Sequence, residues 1–579
     1  MSAVDQRLTQ HLDLWASAIK RKSAAGRGSS NNIELYGIKK LRELILELAV
    51  RGLLVPQDPA DEPAIELLKK IATEKARLVK EGKIKKEKPL LPIRDEEKPF
   101  ELPMGWDWVR MADIGYDFGQ KTPNESFTYI DVGAIDNRLG LIDSPTILSA
   151  GEAPSRARKL VKEGTVIYST IRPYLLNVAI IHKHFDPEPI ASTAFAVIHP
   201  FKDVSGSYIY RYLRSPIFVS YVESVQTGIA YPAINEKQFF SGLLPLPPTA
   251  EQHRIVAKVN ELMALCDQLE QQTDASLSAH QTLVETMLHA LTSAADHEQF
   301  ASAWQRIAPQ FDTLFTTEQS IDLLKQTLLQ LAVMGKLVPQ DPNDEPASEL
   351  LKKIAAEKAR LVKEGKIKNH LPVEPIGKSQ ILPDTWVEIV VQDFADIRLG
   401  STPSRTQLKF WNGDIPWVSS GEVADCIIRD TSEKITQEGF ENSSTSMIPA
   451  RSLLMAIIGQ GKTRGQTALL EIDACTNQNV AAFVFNERFV CPEYVWIWAK
   501  SKYESHRDDG HGGAQPALNG KKVRSFRFPL TPIREQHRIV AKVDELMALC
   551  DQLNTRLNDA QTTQLYLADS VAEKALARD

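Results

Sequence analysis

The chain has no long hydrophobic run, few aromatic residues and only five cysteines. No apolar run approaches the roughly 18 residues that span a bilayer, and the start MSAVDQRLTQHLDLW lacks the charge pattern of a secretory signal. The cysteines form no C-x-x-C pair and are odd in number, which favours a reduced, cytoplasmic protein without a membrane partner. A net charge of -6 excludes a cationic DNA-coating protein but not a local DNA-binding face.

Signatures of catalysis are also missing from the sequence. Gly461-Lys462-Thr463 suggests a P-loop, but the motif G-x-x-x-x-G-K-[ST] requires glycine where the chain has Ala456. There is no Asn/Asp-Pro-Pro-Tyr/Phe box of adenine methylation, no G-x-G-x-x-G after a strand and no His/Cys cluster with metal spacing. We therefore expect a binding protein that is not an enzyme by itself and that holds no metal or cofactor.

What the sequence does contain is a repeat of itself. Residues 52–85 return at 335–368 with 30 of 34 positions identical, and EQHRIVAKVNELMALCDQL at 251–269 returns at 535–553 with 18 of 19 identical. The two copies of each block are 283 and 284 residues apart, so one long unit was duplicated. Between the blocks, residues 100–247 and 382–531 share a skeleton but little sequence.

The skeleton is marked by a few matching positions. Leu102-Pro103 and Trp108 correspond to Leu382-Pro383 and Trp386, and GIAYPAIN at 228–235 corresponds to GGAQPALN at 512–519. Unequal drift after duplication is one interpretation. We favour another, in which two near-identical scaffolds carry two modules that recognise different things.

The second repeated block predicts a long helix with an apolar seam. Ile255, Val259, Leu262 and Cys266 are spaced by four and three residues, and the second copy repeats this spacing. Because such a seam needs a partner, the two helices are expected to pair antiparallel and to relate the modules by a pseudo-twofold axis. The alternative is that each helix is buried separately.

The predicted fold class is α+β, with two tandem α/β recognition modules alternating with long paired α-helices in an antiparallel coiled coil. The expected divisions are an N-terminal arm and flexible link (1–33), helical block 1 (34–99), module 1 (100–247), spacer helix 1 (248–294), a linker helix and helical block 2 (295–378), module 2 (379–531) and spacer helix 2 (532–579).

Neither module is net basic, so a nucleic-acid interface has to come from the placement of a few cations. Each module offers three glycine-rich loops with the residue types that clamp phosphates and read base edges, although such loops taken singly are often ordinary turns. The candidate DNA-binding residues of module 2 are Ser401, Thr402, Ser404, Arg405, Lys409, Trp417, Lys462, Thr463, Arg464, Gln515, Asn519, Lys521 and Lys522. Those of module 1 are Lys121, Thr122, Arg156, Arg158, Arg172, Tyr231, Asn235 and Lys237, with Lys159 adding to the Arg156–Arg158 cluster.

These features resemble the specificity subunit of type I restriction–modification enzymes, of the subfamily with long duplicated blocks. GSTPSRTQLKFWNGDIPWVSSGEV at 400–423 resembles the opening of their target recognition domains, and EQHRIVAKV[ND]ELMALCDQL resembles their spacer helix. LAVxGxLVPQDPxDEPAxELLKKI resembles their conserved region. The resemblance covers nearly the whole chain beyond about residue 35. Module 1 departs from it, because GQKTPN replaces the Gly-Ser-Thr-Pro-Ser opening.

The resemblance implies that each module reads one half of an asymmetric, bipartite site in double-stranded DNA, with the helices setting the gap. It implies two modification subunits that carry S-adenosylmethionine and methylate an adenine in each half-site, and restriction subunits that use ATP and Mg²⁺ to cleave DNA. Two other functions stay open: an orphan DNA-binding or regulatory protein, and a coiled-coil scaffold with two protein-binding modules.

Overall fold

The computed structural model describes residues 10–21, 33–84, 90–228, 230–295, 297–377, 379–459, 462–508 and 518–577. The chain divides into two compact units: unit 1 is residues 1–276 with 560–579, and unit 2 is residues 277–559. Both divisions fall inside long helices and not at the module ends expected from the sequence. The predicted flexible link at 23–32 lies outside the described residues.

Seventeen α-helices are present in the described part of the chain. They are α1 Leu12–Ser17, α2 Tyr36–Val50, α3 Ala64–Lys80, α4 Gly206–Leu213, α5 Pro216–Val225, α6 Glu236–Ser241, α7 Thr249–Ser293, α8 His297–Ile307, α9 Phe311–Leu314, α10 Glu318–Val333, α11 Ala347–Lys363, α12 Val391–Phe394, α13 Gln437–Glu441, α14 Pro492–Ser501, α15 Tyr503–Asp508, α16 Gly520–Arg524 and α17 Ile533–Leu576. Single 3-10 turns lie at Asp95–Glu97, Met111–Asp113, Val132–Ala134, Ala150–Glu152, Pro173–Leu175, Ala308–Gln310 and Leu408–Phe410. No helix among the described residues is both long and apolar enough to cross a membrane.

The strands lie mostly in the two modules. They are β1 Lys20–Arg21, β2 Ile33–Glu34, β3 Asp107–Arg110, β4 Gly115–Tyr116, β5 Phe127–Ile130, β6 Ile135–Asp136, β7 Leu141–Ile142, β8 Thr146–Leu148, β9 Ala157–Leu160, β10 Val166–Ser169, β11 Val178–Ile180, β12 Pro189–Ser192, β13 Phe195–Pro200, β14 Leu243–Leu246, β15 Val387–Val390, β16 Asp396–Leu399, β17 Trp411–Val418, β18 Cys426–Ile428, β19 Glu433–Ile435, β20 Leu453–Ala456, β21 Thr467–Leu470, β22 Cys475–Thr476, β23 Val480–Val484 and β24 Arg527–Leu530.

The two modules share one sheet skeleton. In unit 1 an antiparallel sheet has the order β11–β10–β13–β4, and a second sheet has the order β8–β5–β12–β9 with β5 and β12 parallel. In unit 2 the order β21–β20–β23–β16 repeats the first sheet with β18 added at its edge, and β19–β17–β22 repeats the second with β17 and β22 parallel. An antiparallel ribbon closes each module where the chain enters and leaves it, β3 with β14 and β15 with β24. The predicted shared skeleton and mixed α and β architecture are confirmed.

Each helical block turns at a glycine that packs on a module. Gly52 and Gly335 follow α2 and α10 with φ of +69° and +71°, in the left-handed region that glycine tolerates best. A Cβ at Gly52 would lie 2.5 Å from Pro103 Cγ, and one at Gly335 would lie 2.5 Å from Pro383 Cγ. The close approach explains why the same turn needs glycine in both copies.

A buried glutamate at the start of α7 joins the three parts of unit 1. Glu251 is 1% exposed. Its carboxylate accepts hydrogen bonds from Trp106 Nε1 in the module (2.8 Å) and from Gln57 Nε2 in the helical block (2.7 Å). Burial raises the pKa of Glu251 above that of an ordinary glutamate, while the two hydrogen bonds oppose the rise. The long helix, the module and the block therefore meet at one carboxylate.

Unit 2 repeats this joint at Glu535, at the start of α17. Glu535 is also 1% exposed, and it accepts hydrogen bonds from Trp386 Nε1 (3.0 Å) and Gln340 Nε2 (2.6 Å). Burial raises its pKa in the same way. The counterpart of Trp386 is thus Trp106, so the sequence-based match with Trp108 is wrong by two residues. Because Trp106 and Trp108 are separated by a single residue, the sequence alone does not show which of them matches Trp386.

Unit 1 contains the beginning of one long helix and the end of the other. Ile255 and Val259 of α7 and Ala568 of α17 are buried in the same core. At the helical block, Tyr36 donates its hydroxyl hydrogen to Asp569 Oδ1 (2.8 Å). The last turns of α17 therefore complete the core of unit 1.

Unit 2 has the reverse arrangement. Leu288 and Leu291 near the end of α7 share a core with Cys550 in the first half of α17. Ala303 and Ile307 of α8 are buried in that core too. The stretch at 295–320 is therefore packed against unit 2, as the sequence predicted for a docked helix.

The joint at Glu251 makes a stability prediction. Replacing Trp106 by Phe keeps the ring but removes the N–H that pairs with the buried carboxylate. Leaving such a group short of one donor costs about 1–3 kcal/mol. We expect the Trp106→Phe and Trp386→Phe variants each to lose that much free energy of unfolding, measured by urea denaturation followed by circular dichroism.

The matched control is Trp108→Phe. Trp108 is 8% exposed, but its indole nitrogen is buried without a hydrogen-bond partner in the structure. Removing that N–H breaks no hydrogen bond, so Trp108→Phe should lose only the free energy that comes with the smaller ring, a loss that Trp106→Phe shares. Equal losses in the Trp106→Phe and Trp108→Phe variants would contradict the proposed role of the joint.

Candidate nucleic-acid interface

The loops predicted in unit 1 are the first loop (119–123), the second loop (169–174) and the third loop (231–237), and a buried lysine joins two of them. Lys159 is 3% exposed, and its Nζ lies 2.6 Å from both Asp117, just before the first loop, and Glu236 in the third. Burial alone would lower the pKa of Lys159, but the hydrogen bonds to Asp117 and Glu236 outweigh burial and raise it. Lys159 is therefore a structural cation and not part of an exposed cluster.

The second and third loops of unit 1 meet at an exposed cation–aromatic pair. Arg172 N donates to Pro232 O (2.8 Å), and the Arg172 guanidinium lies 5.1 Å from the ring centre of Tyr231, which is 69% exposed. Arg172 has φ of +49°, which is uncommon for a residue other than glycine. All three loops therefore converge, and the surface they share presents a guanidinium beside an aromatic face.

The other candidates of unit 1 differ in exposure. Thr122, Arg156 and Lys237 are exposed, and Arg158 is half-buried. Lys121 is half-buried, and its Nζ lies 2.7 Å from Glu188. One of the candidate lysines is therefore already partly neutralised within the chain.

The corresponding loops of unit 2 are the first loop (400–409), the second loop (458–467) and the third loop (512–524). The first loop is described in full, the second at 458–459 and 462–467, and the third at 518–524. Leu518 N in the third loop donates to Ile457 O, which precedes the second loop (2.9 Å). Gly520 lies beside Leu399, just before the first loop. Tyr503 donates its hydroxyl hydrogen to Lys462 O (2.6 Å) and so fixes the second loop. The described parts of these loops therefore also lie together.

Trp417 belongs to the core of unit 2 and does not offer a contact surface. It is 1% exposed, its indole N–H is donated to Ser401 O (3.1 Å), and Trp411 packs edge-on against it. The expectation that Trp417 contacts DNA is corrected accordingly. Its role is to support the first loop from below.

Two cations of the first loop in unit 2 are paired with glutamates. Arg405 forms two hydrogen bonds to Glu433 and lies over the Trp411 ring at 3.9 Å. The hydrogen bonds to Arg405 lower the pKa of Glu433. Lys409 is paired with Glu438. Such exposed pairs contribute little stability, so their main effect is to orient the cations and cancel their charge.

The remaining candidates of unit 2 differ in exposure. Ser404, Lys462, Asn519 and Lys521 are exposed, and Ser401, Thr402, Thr463, Arg464 and Lys522 are half-buried. Gln515 lies outside the described residues. Among the described residues, no acidic side chain forms an ion pair with Lys462. Lys462 and the likewise exposed Lys521 are therefore cations of unit 2 that suit a phosphate contact.

Asn235 and Asn519 cap matching helices. Asn235 Oδ1 accepts from Gln238 N (2.8 Å) at the start of α6, and Asn519 Oδ1 accepts from Lys522 N (3.0 Å) at the start of α16. Both side chains are exposed, so their amide N–H groups still face outward. The capping bonds fix the direction of the third loop in each unit.

The arrangement suits a polyanion. Each cluster combines lysine or arginine with hydroxyls and turn backbone, the groups that contact phosphates, and arginine and asparagine are types that read base edges. The clusters differ in detail, because unit 1 presents Arg172 with Tyr231 and unit 2 presents Arg405 held by Trp411 and Glu433. Among the described residues, no group of three histidine, cysteine, aspartate or glutamate side chains could hold a metal ion.

A buried histidine lies beneath the third loop of unit 2. His506 is 4% exposed and stacks on Phe526 with ring centres 4.1 Å apart. Burial, together with the charge of Lys502, lowers the pKa of His506 to about 3. The folded chain therefore holds this imidazole neutral at pH values where an unfolded histidine is protonated.

This burial predicts acid sensitivity. Because the unfolded chain takes up a proton near pH 6.5 and the folded chain does so only near pH 3, unit 2 should lose stability as pH falls below about 6.5. The His506→Phe variant keeps the stack but cannot be protonated, so its stability should fall less between pH 7.5 and pH 5. Urea unfolding at the two pH values measures this. The exposed His184→Phe variant is the control and should match the parent. An unchanged acid sensitivity in His506→Phe would contradict the prediction.

Comparison with known proteins gives a consistent result. The family model described as the type I restriction modification DNA specificity domain matches twice, at residues 103–279 and 383–560. Each match begins at the module and ends within the long helix that follows it. The two matches therefore correspond to the internal repeat.

Two relatives are similar along their whole length. The type I restriction enzyme EcoAI specificity subunit of Escherichia coli is 41% identical, covering 99% of this chain and 100% of that protein. The EcoEI specificity subunit of Escherichia coli is 39% identical with the same coverage. A solved structure from work on complex assembly in a type I R-M system is alike in fold, with a TM-score of 0.51 and 21% identity over 82% of this chain and 99% of that one.

Proposed function

The chain belongs to the family of type I restriction–modification DNA specificity subunits, and we propose that it reads an asymmetric, bipartite DNA site. The module of each unit reads one half of the site. One observation carries the proposal. In each unit the helical block, the module and the long helix are joined in the same way, at Glu251 and at Glu535, and this frame holds loop clusters of different chemistry. Identical frames set a common geometry, while different loops select different bases.

The long helices set the distance between the two half-sites. An antiparallel pairing of α7 and α17 is supported within each unit, because the beginning of one helix shares a core with the end of the other. Two modules on one face of a duplex are naturally about one turn, or roughly 34 Å, apart.

Catalysis belongs to partner subunits in this proposal. Two modification subunits bring S-adenosylmethionine and methylate one adenine in each half-site, for which the base has to leave the stack. Restriction subunits that use ATP and Mg²⁺ complete a nuclease. The duplicated helical blocks α2–α3 and α10–α11 are the surfaces that repeat and so suit two copies of one partner.

The deciding experiment is genome-wide mapping of adenine methylation in cells that express the modification subunit with and without this chain. We expect a split motif, methylated in both halves, that appears only when this chain is present. Replacing residues 382–531 by the module of a relative should change one half of that motif and preserve the other. A change in both halves would contradict modular reading.

The alternatives give different results in the same cells. An orphan DNA-binding or regulatory protein would bind specific DNA without new methylation. A scaffold with protein-binding modules would leave no motif and would bind DNA without strong dependence on salt. The absence of new methylation, with an active and bound modification subunit, would overturn the proposal.

The exposed cations predict how salt affects DNA binding. Because Lys462 is a phosphate contact in this proposal, Lys462→Gln should weaken binding to all sequences alike and reduce the slope of log K against log [salt] by about one. Fluorescence anisotropy of the complex with its modification subunits, on specific and unrelated duplexes at several salt concentrations, measures both effects.

The matched control removes a cation together with its partner. The Lys409→Gln and Glu438→Gln double variant leaves the local net charge unchanged, so its salt slope should match that of the parent. A slope that falls equally in both variants would show that Lys409 contacts phosphate despite its pairing. An unchanged slope in Lys462→Gln would contradict the assignment of that lysine.

A further inference from the structure

Unit 2 contains a groove between its helical block and its module. The groove has a volume of about 470 Å³, within the roughly 300–1,000 Å³ of ligand pockets. One wall is α11, which contributes Ile354, Lys358 and Leu361, and the other wall belongs to the module, with Arg398 and Phe485.

The same place in unit 1 is filled by aromatic rings. Lys75 Nζ donates to Ala112 O, and its copy Lys358 donates to Gln392 O, so the helices meet the modules in the same register. Counted from these contacts, Tyr116 occupies the position of Asp396.

By the same count, Phe118 occupies the position of Arg398. Tyr116 and Phe118 form an aromatic cluster with His199 and Phe201, with ring centres 4.8–5.3 Å apart. Unit 2 instead has an ion pair between Arg398 and Asp396 (2.8 Å).

This difference changes the burial of one leucine on the helix. Leu78 in unit 1 is 5% exposed and packs in the core that includes Tyr116 and Phe201. Its exact copy in the repeat, Leu361, is only half-buried and lines the groove. The helix sequence around both leucines is identical, so the cover of this apolar face in unit 1 comes from residues outside the helix.

We propose that the groove of unit 2 receives an aromatic side chain from a modification subunit, and that unit 1 has no such acceptor because Tyr116 and Phe118 fill it. Unit 1 shows what covers this helix face when the chain supplies the cover itself, namely aromatic rings. The two docking surfaces of the chain are therefore inequivalent, although the helices that form them are nearly identical. This inference rests on the proposed function.

The charge at the groove defines the partner further. Among the described residues, no acidic side chain forms an ion pair with Lys358 or Lys368 of the lining, whereas Lys366 is paired with Glu364 and Arg451 with Glu493. Lys368 is exposed. An aromatic residue with acidic neighbours is the complementary segment.

The first test fills the groove with larger side chains on the module. The double variant Asp396→Tyr and Arg398→Phe installs in unit 2 the residues that unit 1 has. We expect the parent to bind its two modification subunits with unequal affinities and the double variant to bind both with the weaker one, so that the tighter affinity falls at least tenfold. Native mass spectrometry gives the stoichiometry, and titration calorimetry gives the affinities.

A second variant distinguishes filling of the groove from misfolding of the module. Leu361→Trp fills the groove from the helix side and leaves the ion pair of Asp396 and Arg398 in place. Lys352→Trp adds the same ring on the exposed part of α11 and is the control. Circular dichroism and the retained stoichiometry of two bound subunits show that each variant is folded.

The outcomes separate the inference from the proposed function. Loss of the tighter affinity in both groove variants, with Lys352→Trp unchanged, supports the groove as the docking site. Two subunits bound with parental affinities in the folded groove variants would overturn it and leave the proposed function intact. Failure of the parent chain to bind any modification subunit would instead overturn the proposed function.

Discussion

Each unit of this protein depends on one buried carboxylate. Glu251 in unit 1 and Glu535 in unit 2 accept one hydrogen bond from a tryptophan of the module and one from a glutamine of the helical block, so three chain segments are fixed at a single group. A carboxylate buried without partners would be very costly, so the joint holds only in the correct register of all three segments. Because the register is set away from the loops, the loops are free to differ between the units. This separation between a fixed frame and a variable surface is the physical basis for reading two unlike half-sites.

The electrostatics of the loops follow from a chain that is acidic as a whole. With a net charge of -6, the chain as a whole repels DNA, and this repulsion has to be overcome locally by a few cations that are not paired with carboxylates. Lys159 is used to join loops, and Arg405 and Lys409 are matched to glutamates, so only some of the basic residues remain available for phosphates. A phosphate that approaches Arg405 competes with Glu433 for the same guanidinium. Specific DNA can displace Glu433 because its bases add further contacts, whereas unrelated DNA contributes only the phosphate.

The repeat, the long helices and the three candidate loops of each module could be predicted from the sequence, because periodicity and internal identity are local signals. The partners of Lys159, Arg405 and Lys409 could not, since each partner lies 28 or more residues away and no spacing connects it to the cation. Burial of Trp417 was missed because an aromatic residue in a basic loop looks the same whether it supports the loop or faces outward. The groove beside Leu361 was hidden for a related reason: the helix that forms one wall of it is nearly identical in both copies, and the difference described above lies on strand β16 of the module.

The division of the chain inside its long helices has a consequence for synthesis on the ribosome. Unit 1 is made first, but its core includes Ala568 and Ala572, which emerge only after all of unit 2. Part of the apolar surface of unit 1 therefore stays exposed until the end of α17 has been synthesised. Unit 2 has no such delay, because every segment it needs is translated as one continuous stretch. A premature stop within α17 after residue 559 would consequently damage the half of the protein that was translated earliest.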